Sequence, residues 1–151
     1  MDAFDADVLI YAAAQGHPLG RRVLTLFDDR GPASAGRLAG GAVGVGSVLL
    51  ITEVLTKPVR GEQEEELIRL TRLLGRLELR PIDVATASVA VALGASYGLK
   101  TVDAVHLATA VNAGADRFIT NNRRDFPVTI GEIDITYPTD LPEAEDGTVT
   151  R

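Results

Sequence analysis

The chain has 151 residues, 46% of them hydrophobic, and contains no cysteine. That length carries one domain with a proper core, while the missing cysteines exclude disulfides, thiolate metal centres and thiol nucleophiles. A formal net charge of −6 and a pI near 4.9 argue against a broad basic face for nucleic acid, although bound cations supply positive charge that residue counting omits.

Residues 3–11 are rich in Val, Leu, Ile and Tyr and read as a buried, central parallel strand with Asp5 and Asp7 on one face. Pro18 opens a helix over 18–29. The stretch 31–46 holds six glycines and reads as a flexible connection ending in a short strand near residues 43–45. Ser47 caps a helix that carries Glu53 and that Pro58 ends. Gly61 precedes a further helix over 62–76, whose stripe of Leu67, Leu70, Leu73, Leu74 and Leu77 belongs to the core or to a dimer interface. Residues 79–82 form a strand, Asp83 caps a helix that Gly98 stops, and Thr101 caps a helix running to Asn112. Residues 117–120 are a strand, 121–127 a polar loop and 133–136 a last short strand. From Pro138 the composition turns acidic, which divides the chain into a domain over 1–137 and a mobile tail over 138–151. Strands alternating with helices mean an α/β domain with a central, mostly parallel sheet flanked by helices. No basic leader and no apolar run of membrane-spanning length is present, so the expected location is cytoplasmic with no membrane partner.

Four carboxylates lie at the ends of, or inside, the most apolar segments. They are Asp5 in residues 4–11, Glu53 in 47–55, Asp103 in 101–108, and Asp125 closing 120–126. An unpaired buried charge is very costly, and converging carboxylates repel one another unless a cation sits between them. In parallel sheets, ligands gather at the carboxyl ends of strands. The set therefore points to one divalent-metal site rather than four unrelated caps. With only His17 and His106 available, oxygen ligands for Mg²⁺ or Mn²⁺ fit better than a histidine-rich zinc centre. His106 is assigned to the core with a single hydrogen bond, and His17 to the surface. For Glu53, a buried ion pair with Lys57 or Arg60 is the structural alternative.

The same residues resemble the PIN-domain ribonucleases. Phe4-Asp5-Ala6-Asp7-Val8-Leu9-Ile10-Tyr11 is similar to that family's opening segment, and Ser47 through Leu55, with its Glu-Val-Leu ending, to its second acidic motif. Gly98-Leu99-Lys100-Thr101-Val102-Asp103-Ala104-Val105-His106-Leu107-Ala108 is the closest match, followed by Phe118-Ile119-Thr120-Asn121-Asn122-Arg123-Arg124-Asp125-Phe126. The resemblance covers roughly residues 3–137, and VapC-type toxins of toxin–antitoxin pairs are the commonest small members. It implies a PIN-like three-layer α/β sandwich with an acidic pocket for Mg²⁺ or Mn²⁺. It also implies Asp5, Glu53, Asp103 and Asp125 as catalytic residues, with Asp5, Asp103 and Asp125 as metal ligands and Asp7 as an accessory. Where many members place the fourth acid directly after Thr-Asn, this chain has Asn122, so Asp125 takes that role. Thr120, Asn122, Arg123 and Arg124 are the candidate substrate contacts, while Arg21, Arg22, Lys57, Arg60 and Lys100 are weaker phosphate candidates. The implied function is a metal-dependent endoribonuclease, the toxin of a type II toxin–antitoxin system, with RNA as substrate, a cognate antitoxin as partner and a homodimer as assembly. The alternative is a catalytically inactive PIN-fold module that binds RNA or protein.

Overall fold

A computed structural model describes residues 1–29 and 41–144. Most of the glycine-rich stretch and the last residues of the expected tail lie outside these described residues. Five strands form one wholly parallel sheet in the order β3-β2-β1-β4-β5. They are β1 (Asp2–Phe4), β2 (Gly44–Ser47), β3 (Leu77–Arg80), β4 (Arg117–Ile119) and β5 (Asp134–Thr136). The helices are α1 (Ala6–Ala13), α2 (Pro18–Leu24), α3 (Leu49–Arg60), α4 (Glu64–Leu74), α5 (Val84–Tyr97) and α6 (Thr101–Asn112). No helix among the described residues is long and apolar enough to cross a membrane.

The side-chain alternation of so short a sheet still separates two cores. Phe4 and Ile119 point to one face, where they meet Val8, Leu9, Val23, Leu50, Leu70, Leu73 and Leu74 from α1–α4. Ala3, Val45 and Phe118 point to the other, against Ala90 and Leu93 of α5 and Ala104, Leu107 and Ala108 of α6. The result is three layers, as expected. Leu70, Leu73, Leu74 and Leu77 are buried in the first core, so the leucine stripe is largely spent on packing within the chain.

The first segment departs from expectation. Only Asp2–Phe4 is strand, and the apolar run that follows is helix α1. A short apolar run does not by itself distinguish a buried strand from a buried helix. Here the local chemistry decides: Asp5 adopts an extended conformation and its side chain accepts a hydrogen bond from Ala6 N–H. Val8, Leu9, Ala12 and Ala13 then bury one helical face. Other boundaries shift by a residue or two. Val48, not Ser47, occupies the N-cap of α3, although Ser47 Oγ accepts from Leu49 N–H at 3.2 Å. Pro58 lies inside α3, which continues to Arg60, and Lys100 rather than Thr101 precedes α6. The helix from Pro18 ends at Leu24 and continues as a 3₁₀ turn over Thr25–Phe27. Gly98 does stop α5, in the left-handed conformation with φ 66° that favours glycine.

The chain beyond residue 137 is packed onto the domain as far as it is described. Leu141 is buried, and Arg22 of α2 donates to the carbonyl of Leu141 at 2.7 Å and pairs with Glu143 at 2.7 Å. The crossing of α1 and α2 depends on Gly20, because a Cβ there would collide with the carbonyl group of Tyr11. Since the obstacle is backbone, Gly20→Ala is expected to cost about 1–3 kcal/mol or more, measured as a lowered midpoint of urea unfolding with an unchanged slope.

Candidate metal centre

The parallel sheet brings the carboxyl ends of β1 and β4 side by side, and Asp5 stands at that junction. Its N–H donates to the Ile119 carbonyl at 2.9 Å. Its two carboxylate oxygens accept from Ala6 N–H at 2.8 Å and from the Thr120 hydroxyl at 2.8 Å. Asp5 is only 5% exposed and Thr120 is fully buried, so the carboxylate is held in one place. Asp7, in the first turn of α1, accepts from Asn121 N–H at 3.0 Å through Oδ2, while its buried Oδ1 has no hydrogen-bond partner. The segment after β4 is thus clamped to the start of α1 at two successive residues.

Asn122 and Asp125 hold each other. The Asn122 amide donates to Asp125 Oδ2 at 2.8 Å, and Asp125 N–H donates to Asn122 Oδ1 at 3.1 Å. Asn122 is therefore an organiser of the loop that presents Asp125. The two arginines beside it separate. Arg123 lies over the Tyr137 ring at 4.1 Å and donates to the Thr139 hydroxyl at 2.7 Å. Arg124 is exposed and has no hydrogen bond or ion pair among the described residues.

Glu53 reaches the site from the middle of α3 and Asp103 from the first turn of α6. Glu53 pairs with neither Lys57 nor Arg60. Its Oε1 lies 3.1 Å from Nε2 of His106, whose side chain is fully buried while that of Glu53 is 33% exposed. Ligand atoms of Asp5, Glu53 and His106 all lie within 4.8 Å of one another, the one such group among the described residues. Asp103 and Asp125 fall outside that group but are linked to it electrostatically. His106 makes the single hydrogen bond expected of it, yet its partner is a site residue. The available signal was its position one helical turn after Asp103, on the same face.

Burial and like charge dominate the electrostatics. Burial pushes the Asp5 carboxyl above its usual range, against the opposing hydrogen bond from Thr120. Burial and then the neighbouring Asp5 carry Asp7 up to about 7. Asp103 is raised by burial, then by Asp5, Asp125 and Glu53. Among the described residues no lysine or arginine pairs with Asp5, Asp7, Glu53, Asp103 or Asp125. Crowded carboxylates with no lysine or arginine paired to them among the described residues, one with a buried oxygen that has no partner there, fit a hard divalent ion bound through oxygen. Ligand atoms of Asp5, Glu53 and His106 form the group that could hold it, and Asp103 is linked to that group electrostatically.

Comparison with known proteins follows the same lines. A family model described as PIN domain matches residues 3–129. No curated protein matches the sequence significantly. Among solved structures, a toxin–antitoxin complex from Klebsiella pneumoniae superposes with a TM-score of 0.69 at 23% identity, covering 93% of this chain and 100% of that one. VapBC2 from Rickettsia felis, bound to a DNA fragment from its promoter, gives a TM-score of 0.65 at 14% identity, covering 90% and 97%. At these identities the likeness is one of fold.

The raised carboxyls carry a pH signature. A group whose folded pKa lies above its unfolded value stabilises the fold below the unfolded value and loses that contribution as pH rises through the folded one. For Asp7 the window runs from the ordinary 3.8 to about 7. In metal-free protein, Asp7→Asn is expected to become progressively more stable relative to wild type as pH rises from about 4 to about 7. Urea unfolding of both proteins at several pH values measures this, and a pH-independent difference would contradict it.

Proposed function

The chain belongs to the PIN-domain family, whose model spans residues 3–129, and on that premise we propose that it is a metal-dependent ribonuclease, the toxin of a toxin–antitoxin pair. The observation that carries the proposal is the carboxylate cluster near the ends of β1 and β4, with no lysine or arginine paired to it among the described residues. A bound Mg²⁺ or Mn²⁺ supplies two things in such a site: a lowered pKa for its water and neutralisation of charge developing on a phosphoryl oxygen.

The protein's own contribution is placement. Asp5 is fixed by its two accepted hydrogen bonds and Asp103 by the first turn of α6. Glu53 joins the group from α3, and Asp125, braced by Asn122, acts electrostatically on Asp103. Glu53 and Asp103 retain solvent exposure beside the buried Asp5, so part of the acidic group faces solvent. An accessible acidic edge suits a polymeric phosphodiester. Arg124, exposed and without a partner, is the candidate contact for a phosphate flanking the scissile bond, a role Arg123 surrenders to Tyr137 and Thr139. The toxin assignment and a cognate antitoxin are in keeping with the fold shared with toxin–antitoxin complexes from Klebsiella pneumoniae and Rickettsia felis, and a homodimer is proposed with them.

Asp5→Asn and Asp103→Asn are each expected to reduce Mn²⁺-dependent cleavage of single-stranded RNA by about 100-fold or more, with unchanged circular dichroism. Cleavage at wild-type rate by either variant removes the assignment. Absence of any heat in calorimetry with millimolar Mn²⁺ favours the inactive binding module instead. Arg124→Ala is expected to weaken RNA binding and reduce the slope of log affinity against log salt by about one, read by fluorescence anisotropy with catalytically inactive protein.

A further inference from the structure

We propose that His106 is a positioning residue for Glu53, donating its Nε2–H to one carboxylate oxygen and so leaving the other aimed at the metal. The proposal rests on the metal-site reading above and adds to the site a residue outside its acidic set.

The need arises from a difference between two ligands. Asp5 is buried on a short side chain and accepts two hydrogen bonds. Glu53 has one more rotatable bond, is one-third exposed, and touches a single hydrogen-bonding partner, His106 Nε2 at 3.1 Å. Without that contact no other hydrogen bond among the described residues holds the Glu53 carboxylate, and ordering a long side chain carries an entropic cost that the metal would then have to meet. His106 is well suited to select it. The residues flanking it on α6, Ala104, Val105, Leu107 and Ala108, are all buried, so the ring itself is confined.

The bond also fixes the tautomer. An ionised carboxylate only accepts, so the hydrogen sits on Nε2. Nδ1 is buried with no partner among the described residues. A hydrogen placed there would be an orphaned donor, whereas a bare lone pair is the less costly way to leave that atom unpaired. With Oε1 engaged by the imidazole, Oε2 is the oxygen free to bind a cation. A lysine or arginine at this position would bring a permanent charge into competition with the metal for the same carboxylate. The imidazole orients Glu53 through a single hydrogen bond.

Hydrogen bonds to a ligating carboxylate typically account for 10- to 100-fold in metal affinity. Calorimetric titration with MnCl₂ is therefore expected to show His106→Leu binding at least about 10-fold more weakly than wild type. His106→Gln, whose amide nitrogen falls close to the place of Nε2, is expected to recover most of that loss. In the metal-free wild type, ¹⁵N NMR is expected to report protonated Nε2 and unprotonated Nδ1, with the Nε2 proton close to Glu53. Wild-type Mn²⁺ affinity in folded His106→Leu overturns the proposal, as does failure of His106→Gln to recover affinity. If His106→Leu does not fold, a spectrum placing the proton on Nδ1 overturns it equally. Wild-type protein that takes up no Mn²⁺ overturns the metal-site reading, and the proposal with it, whereas wild-type binding that the His106 variants leave unchanged overturns this proposal alone.

Discussion

Asp5 is a carboxylate held 5% exposed at the end of the central strand, and the surrounding structure is arranged around keeping it there. Three roles converge on it. Its backbone N–H extends the pairing of β1 with β4, one side-chain oxygen caps α1, and the other accepts from Thr120. Each hydrogen bond favours the charged form, yet burial outweighs them and the carboxyl titrates above its normal range. The same residue thus initiates the first helix and supplies a strained charge that a cation relieves. Structural and chemical roles are joined in one side chain.

Repulsion spreads outward from that point. Asp7 feels Asp5 through the first turn of α1, and Asp103 feels Asp5, Asp125 and Glu53 from the first turn of α6. Such a cluster persists in the folded chain because it occupies the carboxyl edge of a rigid parallel sheet with a packed core on each face. The elements cannot move apart to relax it without opening one of those cores. Binding free energy from a cation held by several of these groups would accordingly be felt as folding stability, since the acids are spread over α1, α3 and α6 and over the segments after β1 and β4.

The loop after β4 shows how much of the site is scaffolding. Thr120 and Asn121 are bonded to Asp5 and Asp7, Asn122 braces Asp125, and Arg123 anchors the loop to Tyr137 and Thr139. The Tyr137 hydroxyl in turn donates to the Phe126 carbonyl at 2.7 Å. Thr139, just past Pro138, therefore helps hold the loop that carries Asp125.

What the sequence determined by itself was the class of fold, the order of the elements from α2 onward and the presence of carboxylates in apolar segments. Apolar periodicity, caps such as Asp83 and stops such as Gly98 are local signals. Charges placed in apolar segments are conspicuous without coordinates. Tertiary structure decided the rest. It made residues 6–13 a helix, because the Asp5 cap and one buried face settle what a short apolar run leaves ambiguous. It spent the leucine stripe on the core and Arg123 on the C-terminal turn. Above all it brought His106 to Glu53 across 53 residues of sequence. Partnership between a helix-borne histidine and a helix-borne glutamate depends on how α6 and α3 pack against the sheet. No local pattern encodes that distance.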